Sequence, residues 1–385
     1  MVVGPCGRVR SVGGDDRDAR RRHGYGRAMP DFEVRRDDLR TTRVIDGEPP
    51  AERVGDGQVQ LRVDRFGLSA NNVTYGAFGD AMSYWSFFPA GEPGWGRVPV
   101  WGFGDVVASG VEGIEPGERF YGYFPMSSHV TLRPRATGAG FVDDAAHRRE
   151  LPPVYNDYLR TPPDAEHLDE TLLLRPLFAT AFLIAAFLRD AGHAGTGAVV
   201  LASASSKTAY GLAFLLARDG DAGEVIGLTS PGNRDFVESL DVYDRVLAYD
   251  EIDRLAGTDQ ALVFVDMAGD GAVREAVHRA AGDRLRHSAV VGATHWDKLG
   301  SGGAGELPGP APEFFFAPTH LQRMTAELGP GEFQRRLGAA WDDFLGQLGA
   351  WMEIEHGDGP EALERTWLEF VDGKVDPRRG HVFRL

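Results

Sequence analysis

The 385 residues carry 42 % hydrophobic and 25 % charged side chains, a globular balance that excludes a mostly disordered chain, and at about 150 residues per domain the length implies two domains. Lys and Arg number 41 against 57 Asp and Glu, a formal charge of −16 that argues against nucleic acid as a partner, and no uninterrupted apolar run of about 18 residues offers a bilayer span. The single cysteine, Cys6, excludes intramolecular disulfides and a thiolate zinc cage and suits a reducing cytoplasm.

Residues 1–28 are rich in Arg, Gly and Asp, contain the run Arg20, Arg21, Arg22 and lack apolar periodicity; they read as a flexible tail, with Met29 as the expected physiological start. There is no signal-peptide core and no internal repeat. Residues 29–170 read as a β-rich domain. In it VQLRVDRFGL alternates apolar and polar residues, VPVWGFGDVVASG and ERFYGYFP follow, and no intervening helix is long enough for a parallel crossover, so a compact barrel is expected. The polar stretch around LPPVYNDYLRTPP is either a cleft wall or a connector.

TLLLRPLFATAFLIAAFLRDAG predicts an apolar helix ending at Gly192 and opens a second domain, residues 171–318. Short apolar strands are predicted at 197–203, 224–230, 244–249, 261–266, 288–294 and 313–318, with helices at 207–218, 234–240 and 272–281 between them. The alternation predicts an α/β, doubly wound Rossmann domain with a parallel sheet, whose ligand lies beyond the carboxyl ends of the strands, near 203–208, 229–234, 266–270 and 292–296. EFFFAP is either an exposed edge that pairs two chains into a homodimer or a buried sixth strand. Residues 319–385 add amphipathic helices at 333–352 and 362–371 and close with GKVDPRRGHVFRL, expected as an edge strand of the first domain.

VVLASASSKTAYGLAFLLA has the strand, small-residue turn and helix of a phosphate cradle, because unpartnered helix amides and the positive dipole end hold an anion. Ser203, Ser205, Ser206 and Thr208 offer hydroxyls and Lys207 a charge. The glycines of G-x-G-x-x-G are missing from the turn, and the alternative is that Ser205 or Ser206 only caps the helix. A P-loop and a nucleophile elbow both require glycines that this turn lacks. After the second strand, where a free ribose hydroxyl usually meets a carboxylate, GLTSPGNRDF has none; Ser230, Asn233 and Arg234 are placed to hold a 2′-phosphate, which favours NADP over NAD, against the alternative of an ordinary turn with an exposed arginine. Asp266 and Gly269 beyond the fourth strand, and Gly292 and Thr294 beyond the fifth, are candidate nicotinamide contacts or plain strand-to-helix turns.

PGERFYGYFP, LLLRPLFATAFLIAAFL, SLDVYDRVLAYDE, VFVDMAG and AVVGAT, in this order, resemble the medium-chain dehydrogenase/reductase superfamily, in particular its zinc-free quinone and enoyl reductase branch, over most of residues 31–385. LSANNVTYGAFGDAMSYW, LASASSKTA and VGATHW are similar to an uncharacterised subfamily of unknown function, DUF2855. The resemblance implies a GroES-like β-barrel domain beside the Rossmann domain. It also implies hydride transfer from NADPH to an activated double bond or carbonyl of a small apolar substrate. Asn71 and Asn72 stand where zinc-dependent members carry a cysteine, and no two histidines lie three to five residues apart, so no metal is expected. Tyr84 lies where such reductases often place a proton donor, although Tyr84, Trp85, Phe87 and Phe88 together also read as a hydrophobic cluster. Asn72 is a candidate to orient substrate or nicotinamide, or else a turn residue; Tyr75, Tyr155 and His295 are further candidates. The competing expectation is a catalytically silent NADP(H)-binding or regulatory protein on the same fold.

Overall fold

The computed structural model describes residues 29–192, 197–220, 223–257, 259–267, 269–292 and 307–385. The tail 1–28, Thr294 and His295 lie outside these described residues.

The β-rich half is built on the long strands Val59–Leu68, Pro99–Ser109 and Arg119–Pro125, paired antiparallel in a nine-stranded sheet beside a smaller three-stranded one. Its core is aromatic and aliphatic, with Phe66, Phe120, Tyr123 and Phe124 buried in it. The last strand, Arg379–Arg384, pairs antiparallel with Val59–Leu68, which returns the carboxyl end of the chain to this first sheet. It is not an edge strand: Glu353–Asp358 pairs parallel with it on the outer side. That outermost strand, EIEHGD, escapes a pattern search because an edge strand buries little and tolerates charge on both faces.

The second sheet is wholly parallel. Along it the strands run Arg245–Ala248, Glu224–Thr229, Gly197–Ala202, Ala261–Asp266, Leu285–Val290 and Glu313–Phe314, so the chain starts in the middle, winds to one edge and then to the other. This is the doubly wound Rossmann order, with its switch point between the first and fourth strands. The central strands are buried almost end to end because helices cover both faces, which is why they are continuous Val, Leu and Ile runs without alternation. The fifth strand begins three residues before its expected start and ends at Val290, and the sixth shrinks to Glu313–Phe314 at the sheet edge, with Phe314 exposed.

The helix Leu168–Asp190 joins the halves. It is long and apolar enough by itself to cross a bilayer, yet most of its apolar stretch is buried inside the protein. Two glycines let it lie on the first sheet. A Cβ at Gly67 would come within 2.8 Å of Leu172, and one at Gly380 within 2.7 Å of Leu173, so larger residues there would push the helix off. Leu172, Leu173, Phe103 and Tyr121 then belong to one core with Val199, Leu201 and Val263 of the parallel sheet.

Candidate active site

A cleft of about 730 Å³ runs between the two halves. One end is formed by the turn Ser203–Thr208 with Thr229, Ser230, Asn233 and Gly292; the other by Tyr75, Tyr84, Trp101, Tyr121 and Tyr155. The helix residues Arg175, Pro176 and Thr180 and the segment Val375–Pro377 form its sides.

The turn does without glycine by paying in backbone strain at one residue. Ser203 takes a left-handed φ of 51°, a conformation unfavourable for residues with a Cβ. Close packing is supplied from the neighbouring strand, where Gly227 makes room: a Cβ there would lie 2.9 Å from the Cβ of Ala204. Ser206 caps the helix Lys207–Asp219, its Oγ accepting from the Ala209 amide at 3.3 Å. Capping and cradle coexist, because the amides of Ser205, Lys207 and Thr208 meet no acceptor among the described residues, and all three residues line the cleft. The Ser203 amide donates to the Tyr249 hydroxyl at 3.1 Å. Lys207 Nζ donates to the carbonyls of Arg379 (2.8 Å) and Pro377 (3.3 Å), and burial pushes its ammonium down to about 8.

At the end of the second strand, Thr229 is buried with its Oγ1 unpartnered, an orphaned hydroxyl facing the cleft. Ser230 lines the cleft beside it, and Asn233 donates to Ser205 Oγ at 3.2 Å. Arg234 is drawn elsewhere: its guanidinium binds Glu238 (2.8 Å) and Glu251 (2.7 Å) and does not line the cleft. Gly269 also stays out of it, with a φ of 74° and its amide donated to Asp266 Oδ1 at 2.8 Å, while Asp266 pairs with Arg274. Gly292 does line the cleft, and no larger residue fits there, since a Cβ would stand 2.3 Å from the Met267 carbonyl oxygen.

At the barrel end, hydroxyls converge. The Tyr84 and Tyr155 hydroxyls are 3.3 Å apart, and Trp101 Nε1 donates to the Tyr75 hydroxyl at 3.3 Å. The Tyr75 ring lies 4.6 Å from that of Tyr84, and the Tyr123 ring 4.8 Å from that of Tyr155. Burial raises the pKa values of Tyr75, Tyr84 and Tyr155 above the usual phenol value, so these groups stay protonated at neutral pH and can serve as donors, not bases. Asn72 is oriented away from this cluster. Its Oδ1 accepts from the Ser69 amide (2.8 Å) and its Nδ2 donates to the Pro99 carbonyl (2.9 Å), so it ties the start of helix Ala70–Ala77 to the strand Pro99–Ser109, and the adjacent Asn71 faces the cleft in its place. Asn72→Ala is expected to lower stability by about 1–3 kcal/mol, the cost of two buried groups left unpaired, with cofactor affinity unchanged; chemical denaturation paired with a ligand titration checks this.

The family described as "Protein of unknown function (DUF2855)" matches residues 66–376, most of the chain. The chain belongs to the DUF2855 family. No curated protein matches this DUF2855 sequence. Among solved structures, CurA from Vibrio vulnificus in complex with NADPH is similar at 14 % identity over 92 % of this chain and 98 % of that one, with a TM-score of 0.61. The yhdH oxidoreductase from Salmonella enterica in complex with NADP is similar at 15 % identity, covering 93 % and 99 % of the two chains with a TM-score of 0.55. A probable oxidoreductase from Mycobacterium abscessus is similar at 16 % identity, covering 93 % and 99 %, with a TM-score of 0.53. The shared fold is a GroES-like β-rich domain beside a Rossmann domain with a parallel sheet.

In this DUF2855 chain several cleft residues carried no local signal. Tyr249 reaches the turn only because neighbouring parallel strands end together, and Arg175 and Trp101 face the cleft only once the helix lies on the barrel. Among the described residues no group of three His, Cys, Asp or Glu side chains is arranged to hold a metal.

Proposed function

We propose that this protein is an NADPH-dependent, zinc-free oxidoreductase that reduces an activated double bond or carbonyl of a small, largely apolar substrate. The observation that carries this is the pairing, in one cleft, of three unengaged amides at a helix start with a cluster of protonated tyrosines at the opposite end. The cofactor fits the residues present. Its phosphates suit the amides of Ser205, Lys207 and Thr208 and the charge of Lys207, and a 2′-phosphate suits Ser230, Asn233 and the orphaned Thr229 hydroxyl, where no carboxylate opposes it. When bound, the cofactor supplies a hydride; solved structures of similar fold carry NADPH or NADP.

The chain's own residues orient and protonate. The indole N–H of Trp101 can only donate, so the Tyr75 oxygen accepts there and its own proton is left for another acceptor. Tyr84 and Tyr155 hold a second proton between them at the cleft wall, and Asn71, at the foot of the same helix, offers an amide to the substrate. The aromatic walls exclude water, which strengthens each of these polar contacts. The same reading includes a reducing cytoplasmic setting, a small-molecule substrate without nucleic-acid or membrane partners, and a homodimer formed through the exposed edge strand Glu313–Phe314.

A second reading, a catalytically silent NADP(H)-binding protein, is favoured by one observation: the Tyr84 and Tyr155 hydroxyls are buried against each other. Titration of NADPH by nicotinamide fluorescence, followed by a survey of NADPH oxidation with enones, quinones and enoyl thioesters, separates the two. The reductase reading expects saturable binding, NADPH preferred over NADH, and turnover with one of these classes. Tight binding without turnover supports the silent reading, and no binding overturns both. Affinity is expected to fall as pH rises through about 8, because Lys207 is charged below that value and neutral above it; Lys207→Arg, charged throughout, should flatten the profile.

A further inference from the structure

Tyr84 stands on a single turn, Tyr84–Ser86, in the connection between helix Ala70–Ala77 and strand Trp95–Gly96, where no strand pairing fixes the backbone. The turn is entered through Ser83, whose left-handed φ of 59° is unfavourable for a residue with a Cβ. Hydrogen bonds from the Trp85 amide to the Gly79 carbonyl and from the Phe87 amide to the Tyr84 carbonyl, both 3.3 Å, stay within the connection. Bonds of this kind fix the shape of the turn but not its place on the barrel. Arg148 ties it there: its Nε donates to the Phe87 carbonyl at 3.1 Å, and its guanidinium lies over the Phe88 ring, 4.4 Å from the centroid.

The same residue reaches the other half of the tyrosine pair. The Arg148 carbonyl accepts from Asn156 Nδ2 at 3.0 Å, and Asn156, which directly follows Tyr155, accepts from the Asp143 amide at 2.9 Å through its own carbonyl. Arg148 Nη1 donates to the Tyr158 hydroxyl at 3.3 Å, that hydroxyl donates to the Tyr123 carbonyl, and the Tyr123 ring stacks on Tyr155. The Arg148 side chain is 1 % exposed, and that of Asp143, whose Oδ2 lies 3.1 Å from Arg148 Nε, is 2 % exposed. Asp143 is itself held by the amides of Arg133 and Ala145, which donate to its Oδ1. Withdrawing two charges from water costs about what their pairing returns, and apolar side chains of the same volume often stabilise a core as well or better. What they cannot supply is direction: a rigid fork of donors, fixed by one carboxylate and aimed at two separate segments. Arg148 does not line the cleft.

We propose that Arg148, paired with Asp143, is the positioning residue of the tyrosine pair: from behind the cleft wall it sets the Tyr84 hydroxyl against that of Tyr155. Its effect on turnover rests on the reductase reading; its effect on the tyrosines does not. Arg148→Met leaves the Asp143 carboxylate buried without its cation, and the melting temperature should fall. Arg148→Met/Asp143→Asn removes both charges while the remaining amide oxygen still accepts from Arg133 and Ala145, and should recover much of that loss. Turnover should not recover with it: kcat should stay about 100-fold below wild type in both variants, with KM and NADPH affinity held within about twofold, because neutrality does not restore placement. Nitration of the folded proteins by tetranitromethane, mapped by peptide mass spectrometry, reads that placement without turnover. Tyr84 and Tyr155 should react about tenfold faster in the double variant than in wild type, and Tyr249, at the far end of the cleft, at an unchanged rate. A kcat that returns together with the melting temperature shows a role in the fold alone and overturns the proposal, as do nitration rates unchanged at both tyrosines. If wild type oxidises NADPH with none of the substrate classes while the nitration contrast appears, the positioning of the tyrosines stands and the reductase reading falls.

Discussion

Thr208→Glu is expected to raise the dissociation constant for NADPH by about 100-fold or more, while the protein keeps its fold. The position is the second residue of the helix Lys207–Asp219, its amide has no acceptor among the described residues, and its side chain lines the cleft. An acidic residue in the first turn of a helix is by itself tolerated or mildly stabilising, by about 0.3–1 kcal/mol, because it complements the dipole. The same carboxylate would occupy the anion site and repel phosphates at close range. Stability and affinity should therefore move in opposite directions, a combination that simple damage to the fold does not produce. Thr208→Val, which removes only a hydroxyl, should cost no more than about tenfold. Thermal melts alongside a nicotinamide-fluorescence titration read both quantities, and unchanged affinity in Thr208→Glu would show that the cofactor does not use this helix.

The second large effect is expected at the tyrosine cluster. Tyr84→Phe and Tyr75→Phe should each lower kcat by about 100-fold, within the range of a general acid, with NADPH affinity intact. The double variant should lose little more than either single one, because Tyr75, Tyr84 and Tyr155 form one hydrogen-bonded and ring-packed group and act as a unit. The pH profile carries a sign. Burial holds these phenols above their usual value, so the donor remains protonated and kcat should show no alkaline fall up to about pH 9 from this source. Any fall near 8 should appear in cofactor affinity, where Lys207 acts, and not in kcat. Single-turnover rates under saturating NADPH across pH check this, and a kcat unaffected by either phenylalanine substitution or by the double variant would remove tyrosine from the chemistry.

Much of the architecture was legible along the chain because it rests on local patterns. Continuous apolar runs separated by amphipathic helices require a parallel sheet covered on both faces, and the strands at 197, 224 and 261 begin where those runs begin. Boundaries slipped where burial is weak: Glu353–Asp358 and Glu313–Phe314 are edge strands, and their composition answers to solvent more than to pairing. At the site, the turn Ser203–Thr208 and the pair Ser230 and Asn233 line the cleft as their place after the strands implied. Arg234 and Asn72 do not, since each finds nearer partners: Glu238 and Glu251 for the first, the Ser69 amide and Pro99 carbonyl for the second.

What the residues determined unaided is the sheet, its helices and the small-residue bend that opens the helix at Lys207, since each depends on side-chain period and size over a short stretch. Only the folded chain decided which polar groups are free. Whether Arg234 meets a carboxylate depends on groups brought together across the structure, and so does the juxtaposition of four aromatic side chains from three different segments around one cleft. Hydrogen-bond satisfaction is a property of neighbours in space, and a partner such as Glu251 is close to Arg234 only because two parallel strands end side by side.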